Sequence, residues 1–181
     1  LPGGERAVKE TRRSAAGLVY AAFGESGLSM LPGATRCAFS DAELHNLLRV
    51  LGSGLNCPST SSAGRLFDAV ASLAGLRQHS QFEGQGAMEL EFSLPVVPEE
   101  RAYPMVLCSS CAQSAGAGAR PVGELNWEPM LREILEDVEQ GIPVGTIAAK
   151  FHHSLVRGIV KCASKVGERR ETRSTHYSRQ R

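Results

Sequence analysis

The stretch from residue 56 to residue 76 constrains the fold most, because a polar capping segment leads there into a clear apolar period. Pro58 keeps the residue before it extended. Thr60, Ser61 and Ser62 carry side-chain oxygens that accept the unpaired N–H groups of a first helical turn. Gly75 can take the left-handed conformation that ends a helix. Between these signals the apolar residues recur at helical spacing, at Leu66, Phe67, Val70, Leu73 and Ala74. The sequence therefore predicts an amphipathic helix.

The opposite face of this helix is polar. At about 100° per residue, Arg65, Asp68 and Ser72 fall together on the side away from the apolar stripe. One interpretation is a solvated face on an ordinary helix. The other is that Asp68 and the backbone at Gly84 and Gln85 border a cleft, since glycine lacks a Cβ and lets a ligand approach closely. Periodicity leaves both interpretations open.

Further helix signals lie on both sides of this stretch. Ser40 and Glu43 form a capping box for a helix with a leucine stripe. Asn126 is placed to cap a later helix that has Pro129 in its first turn. Helical patterns also cover residues 5–23, residues 83–91 and the segment from about Thr146.

Residues 92–122 differ from the rest of the chain. Four prolines and two β-favouring runs, Val96-Val97 and Met105–Leu107, predict one or two short strands with a loose loop. The fold class predicted from the whole pattern is mainly α, with five or six helices and a small antiparallel β element (α+β).

Charge divides the chain into two parts. Residues 165–181 contain six basic and two acidic residues, a net charge of +4, so the remainder carries 1 − 4 = −3. We expect a folded domain over residues 1–164 and a basic tail over 165–181 that is disordered or loosely helical. The mildly acidic body argues against nucleic acid as a partner. No apolar run reaches the roughly 20 residues of a membrane span.

The cysteines indicate a reducing compartment. Five of them are scattered through a chain that is long enough to build a core without disulfides, which is typical of a cytoplasmic protein. Cys108 and Cys111 have redox or half-zinc spacing, but no second pair of ligands follows at zinc-site spacing. We therefore predict no metal site and reduced thiols. Because the chain begins with Leu1, we also expect it to be part of something longer.

Two strings identify a resemblance. NCPSTSSAGRLFDAVASLAGL, from residue 56, and FEGQGAMELE, from residue 82, resemble the C-terminal domain of the HypF carbamoyltransferases, which mature nickel–iron hydrogenases. LPGGERAV at the start and IAAKFH from residue 147 resemble the same family in the same order. The resemblance covers roughly residues 1–163 and predicts part of one lobe of an actin-like ATPase. After Ser164 the sequence departs from the family, where a strand and a glycine-rich nucleotide loop are expected.

The resemblance implies a chemistry and a set of site residues. The family makes a carbamoyl-adenylate from carbamoyl phosphate and ATP with magnesium, and passes the carbamoyl group to the C-terminal cysteine of HypE. By resemblance Asp68 would accept the ribose hydroxyls, Gly84 and Gln85 would approach the same nucleotide, and Arg65 would orient it or reach a phosphate.

The resemblance also sets limits on activity. The metal-binding histidines and the other phosphate loops of the family have no counterpart in this sequence, so no catalytic residue is assigned. We expect residual nucleotide binding and no carbamoyl transfer by the chain alone, unless a complementary lobe and a HypE-like protein supply the rest. The alternative is a non-catalytic interaction or structural module that self-associates.

Overall fold

Eight α-helices, one 3-10 helix and a two-stranded sheet make up the part of the chain that the computed structural model describes, which is residues 1–96, 99–108 and 124–178, with side chains as far as Gly167. The predicted class, mainly α with a small antiparallel β element, is confirmed. The α-helices are α1 (Arg6–Lys9), α2 (Thr11–Phe23), α3 (Gly33–Arg36), α4 (Asp41–Ser53), α5 (Ala63–Leu73), α6 (Gln85–Phe92), α7 (Glu128–Glu139) and α8 (Val144–Ser178), with the 3-10 helix at Glu25–Met30.

The core is built around α5, the helix predicted from the central stretch. Its most extensive partner is α2, and it also packs against α6. Small side chains on α2, including Ala15 and Ala16, are fully buried and let the two backbones approach closely. Phe151 on α8 is also fully buried, with its ring centroid 4.9 Å from that of Phe67 in an edge-on arrangement. The apolar stripe of the sequence is therefore the centre of the core.

The predicted caps have different outcomes. At α4 the capping box is confirmed: Glu43 N donates to Ser40 Oγ at 3.2 Å, and Ser40 N donates to Glu43 Oε2 at 2.9 Å. At α5 the predicted side-chain cap is wrong. Ser62 is the N-cap residue, but its side chain accepts no hydrogen bond from the first turn. The Thr60 hydroxyl instead accepts from the backbone N–H of Ser62 at 3.1 Å, which forms a tight turn before the helix.

The single helix predicted over residues 5–23 is broken at Glu10, whose backbone (φ −102°, ψ 84°) is not helical. Long-range backbone hydrogen bonds explain the break, because Ser80 N donates to Lys9 O at 2.7 Å and Arg12 N donates to Gln78 O at 3.3 Å. The Glu10 carboxylate then accepts hydrogen bonds from three arginines, Arg6, Arg12 and Arg13. Tertiary contacts therefore override local helix propensity at this position.

The small sheet lies against α8. Strands β1 (Val106–Cys108) and β2 (Glu124–Asn126) pair antiparallel, with Leu107 opposite Leu125. A Cβ at Gly158 of α8 would lie only 3.0 Å from Leu125 Cδ1, so this glycine allows the close contact. Cys111 and the predicted loop Ala112–Ala119 lie outside the described residues. The Asn126 side chain accepts from Glu128 N at 2.9 Å, but the N-cap residue of α7 is Trp127, one position later than predicted.

Helix α8 crosses the boundary predicted at Ser164. Its backbone is helical to Ser178, whereas the composition of this segment predicts a disordered or loosely helical tail. Residues 179–181 lie outside the described part. The division of the chain into a domain and a tail stays a prediction. None of the described helices combines the length and apolar content needed to cross a lipid bilayer. The described residues also contain no cluster of three potential metal ligands.

Candidate functional site

The polar face of α5 is buried, which excludes the interpretation of a solvated helix face. Asp68 is 2% exposed and Ser72 is fully buried. The Ser72 hydroxyl donates to Gln78 Oε1 at 2.7 Å, and its backbone carbonyl accepts from Thr35 Oγ1 at 2.8 Å. Ser72 therefore ties α5 to its neighbours. Asp68 faces α6 and the connector before it, where the predicted site residues lie.

Arg65 is the closest charged neighbour of Asp68. Its Nη1 lies 2.8 Å from Asp68 Oδ2, and the same nitrogen donates to the Val8 carbonyl of α1 at 3.3 Å. Its Nη2 lies 3.7 Å from Glu83 Oε1 on the connector between α5 and α6. The side chains of Arg65 and Asp68 are only 11% and 3% exposed, whereas that of Glu83 is 85% exposed. The guanidinium thus links α1, α5 and the connector.

The carboxylate of Asp68 keeps an unused acceptor position. Within the described part of the chain, the buried Oδ2 accepts no well-directed hydrogen bond, although Arg65 lies within ion-pair distance. Burial raises the pKa of Asp68 above its usual value, and the charge of Arg65 opposes that effect while Glu83 adds to it. A buried carboxylate oxygen that accepts no well-aligned hydrogen bond is costly, and it marks Asp68 as a candidate ligand-binding residue.

The start of α6 forms the other side of this site. Gly84 has a left-handed backbone (φ 83°), and a Cβ there would meet no atom of the described residues within 4 Å, so the space beside it is open in that part of the chain. The Gln85 side chain is engaged internally, since its Oε1 accepts from Gln81 N at 2.7 Å and its Nε2 donates to Glu89 Oε1 at 3.1 Å. For the Gln85 amide to contact a nucleotide, as predicted, these two hydrogen bonds would have to break. The nucleotide contact of Gln85 stays a prediction.

Three positions near Asp68 were not predicted from the sequence. A Cβ at Gly86 would lie 3.2 Å from Asp68 Oδ1, so Gly86 allows α6 to approach the carboxylate. The close spacing of Gly84 and Gly86 in the sequence could have indicated this close approach. The Val8 carbonyl and the Glu83 carboxylate were missed because only the tertiary fold brings them to Arg65. The structure therefore brings Arg65, Asp68 and the start of α6 together.

A second polar cluster lies between α7 and α8, near a surface cavity of about 530 Å³. Asp137 Oδ2 accepts from the Tyr103 hydroxyl and from Lys150 Nζ, each at 2.6 Å, and the ammonium lies 4.1 Å from the Tyr103 ring centroid. Burial and the hydrogen bond to Asp137 raise the pKa of Tyr103. The polar groups of these three side chains are paired with one another, so the cluster has a structural role in holding α7 against α8. His152 is similarly structural, with Nδ1 2.7 Å from the Ala148 carbonyl.

Comparisons with known proteins show which family this chain resembles. A family model described as "Carbamoyltransferase, Kae1-like Domain, second subdomain" matches residues 1–178. The match extends beyond Ser164, so the prediction that the sequence leaves the family there is wrong. Carbamoyltransferase HypF of Rhizobium leguminosarum bv. viciae is 34% identical over 176 residues, which are 96% of this chain and 20% of that protein. HypF of Synechocystis is 32% identical, over 92% of this chain and 22% of that protein.

A solved structure shows the same fold in a longer protein. The crystal structure of full-length HypF in the phosphate- and nucleotide-bound form matches with a TM-score of 0.76 and 31% identity, over 93% of this chain and 20% of that one. The chain thus spans about a fifth of the length of these relatives.

Proposed function

The chain belongs to the HypF carbamoyltransferase family, and on that premise we propose that it supplies one wall of a nucleotide site in which Asp68 binds the ribose. The observation that carries this proposal is the buried Oδ2 of Asp68, which accepts no well-directed hydrogen bond from the described residues. Asp68 packs against Gly86 at the start of α6, and the space beside Gly84, just before that helix, is open. The full-length HypF structure is described as nucleotide-bound, which supports a nucleotide as the ligand.

The chemistry of the residues fits a ribose. An ionised carboxylate accepts hydrogen bonds and donates none, whereas the ribose 2′ and 3′ hydroxyls are donors. Gly84 leaves room for a ligand beside α6. The ligand class that follows is ATP or ADP, with magnesium on the phosphates. We assign no described residue to the magnesium, because no cluster of three potential ligands lies among them.

Carbamoyl transfer needs more than this wall. The reaction would require donors and a metal around the phosphates, arranged before the transition state forms. We propose that the chain takes part in transfer only together with a complementary lobe that provides them, and with a HypE-like protein as acceptor. By itself we expect it to bind nucleotide weakly and to transfer no carbamoyl group.

Calorimetric titration with ATP and ADP plus magnesium tests the ribose role of Asp68. We expect weak binding by the unchanged chain and a loss of about tenfold or more in Asp68→Ala, because a hydrogen bond to a charged group contributes about 1.5–3 kcal/mol. Asp68→Asn keeps the shape and is expected to weaken binding less. Asp41→Ala, at a side chain that is 94% exposed, is the control and should bind normally. A chain that is folded by circular dichroism but gives no heat at millimolar nucleotide would rule the site out.

An exposed apolar stripe on α8 favours a second function, that of a self-associating interaction module. We define the α8 stripe as Val156, Ile159, Val160 and Val166, which lie on one face of the helix, and Ile159 is 65% exposed. Exposed apolar surface of this kind marks an interaction site. The partner we propose is a second copy of the chain, because the acidic body (−3) and the basic C-terminal segment (+4) of two copies attract each other.

Sedimentation velocity distinguishes this second function. We expect a dimer whose dissociation constant rises at least tenfold in Ile159→Glu, since the substitution places a charge in the apolar contact. Lys161→Glu changes a neighbouring residue on the other side of α8 and serves as the control. A monomer at all concentrations would exclude self-association without affecting the nucleotide proposal.

A further inference from the structure

We propose that Arg65 is a positioning residue: it holds the buried Asp68 carboxylate in its ionised form, so that Asp68 can accept both hydroxyl hydrogens of a vicinal diol. The ligands favoured by such a carboxylate are ribonucleosides rather than 2′-deoxyribonucleosides. The inference rests on the proposed function, because it concerns the same site. It goes further by naming the residue that sets the chemical state of the ribose acceptor.

The geometry keeps the guanidinium beside the carboxylate. Arg65 Nη1 lies 2.8 Å from Asp68 Oδ2 and 3.3 Å from the Val8 carbonyl. Val8 lies 57 positions earlier in the chain, so the folded structure anchors Arg65 from a different helix. Both side chains of the ion pair are nearly excluded from water. Coulomb attraction is stronger at such a buried position than at the surface. Arg65 is therefore placed to act on Asp68 in the absence of any ligand.

The other groups around Asp68 favour the neutral acid. Burial raises the pKa of Asp68, and the negative charge of Glu83 raises it further. Helix α6 presents Gly86, which has no charge, and α1 presents the Val8 carbonyl to the guanidinium. Among the described residues, Arg65 is the group whose charge lowers this pKa. Without Arg65, burial and Glu83 would act in the same direction and Asp68 would become protonated at higher pH.

Protonation changes what Asp68 can bind. A carboxylate offers acceptor positions on both oxygens, whereas a protonated carboxyl group has a donor on one of them. A neutral Asp68 therefore cannot accept from two neighbouring hydroxyls equally well. A 2′-deoxyribose has lost one of these hydroxyls, so its binding depends less on the charge of Asp68. The preference for ribose over deoxyribose consequently reports the ionisation of this residue.

Titration with adenosine and 2′-deoxyadenosine over a range of pH tests the role of Arg65. These ligands carry no phosphate that Arg65 would contact directly. Because the ionised form binds, the affinity for adenosine should fall as the pH drops through the Asp68 pKa. In Arg65→Gln we expect the midpoint to move up by about one pH unit, and the ribose preference to be lost below it. Arg65→Lys keeps the positive charge, so it should retain most of the original pH midpoint and most of the preference for ribose. Arg132→Gln, at a surface ion pair with Glu128, should change neither.

The outcomes separate this inference from the proposed function. If Arg65→Gln binds adenosine with an unchanged pH profile and ribose preference, the ion pair is only structural and the role of Arg65 is overturned. If the folded, unchanged chain binds no adenosine at any pH, the nucleotide site is overturned and the diol role with it. In that case the carboxyl ¹³C titration of Asp68, identified by its absence in Asp68→Asn, still shows whether Arg65 sets its ionisation. If the ¹³C titration of Asp68 has the same midpoint in the unchanged chain and in Arg65→Gln, then Arg65 does not control the ionisation of Asp68.

Discussion

Replacing Phe151 with alanine is expected to lower the free energy of unfolding by about 3–5 kcal/mol, the cost of truncating a buried aromatic residue. Phe151 is fully buried and packs edge-on against Phe67 at 4.9 Å, so it joins α8 to α5. Because small domains have a total stability of about 5–15 kcal/mol, such a loss is a large part of the whole. Urea denaturation followed by circular dichroism measures it.

Two further variants, a milder substitution and a surface control, test the same prediction. Phe151→Leu removes fewer atoms and should lose less stability, so it remains measurable if the alanine variant does not fold. Lys161→Ala lies further along α8, at an exposed position on the side away from the α8 stripe, and should change stability by no more than about 0.5 kcal/mol. Similar losses at Phe151 and Lys161 would contradict the packing of α8 against α5. The result also matters for the site, since α5 carries both Arg65 and Asp68.

Glu10→Gln is expected to cost about 3 kcal/mol at neutral pH, because it leaves the buried Arg12 with an incomplete set of partners. The Glu10 carboxylate lies 2.9 Å from Arg12 Nη2 and 2.7 Å from Arg13 Nε. Burial by itself would raise the pKa of Glu10, but the hydrogen bonds from Arg13 and Arg12 outweigh it and the pKa is lowered. The ion pairs of Glu10 with Arg12 and Arg13 therefore stabilise the folded state most when Glu10 is ionised.

The sign of the pH dependence follows from that shift. A carboxylate with a lowered pKa contributes stability above its unfolded-state pKa, and the contribution is lost as the pH falls toward the folded-state pKa. Denaturation of the unchanged chain at pH 7 and below pH 4.5 should therefore show an acid loss that is smaller in Glu10→Gln. Glu128→Gln, in an exposed pair with Arg132, is the matched control and should cost about 0.5 kcal/mol. Equal losses in the two variants would show that the Glu10 network contributes little.

Helix positions were predictable because they depend on local signals. The apolar period of α5, its stop at Gly75 and the Ser40–Glu43 capping box act within a few residues of one another. The α+β class and the family resemblance were also available from the sequence, and both are confirmed. The extent of the resemblance was underestimated, since the family model continues to residue 178. The basic segment offered no apolar period by which to recognise it.

The sequence by itself determined which residues share a face of α5, because a helix places Arg65, Asp68 and Ser72 on one side whatever surrounds it. Only the tertiary structure decided that this face is buried. The groups that cover it come from far away in the chain: Thr35 reaches Ser72 across 37 positions, and Val8 reaches Arg65 across 57. The break at Glu10 has the same origin, since Lys9 bonds to Ser80. Periodicity reports the direction of a side chain, whereas its burial and charge state depend on partners that meet only when the chain folds.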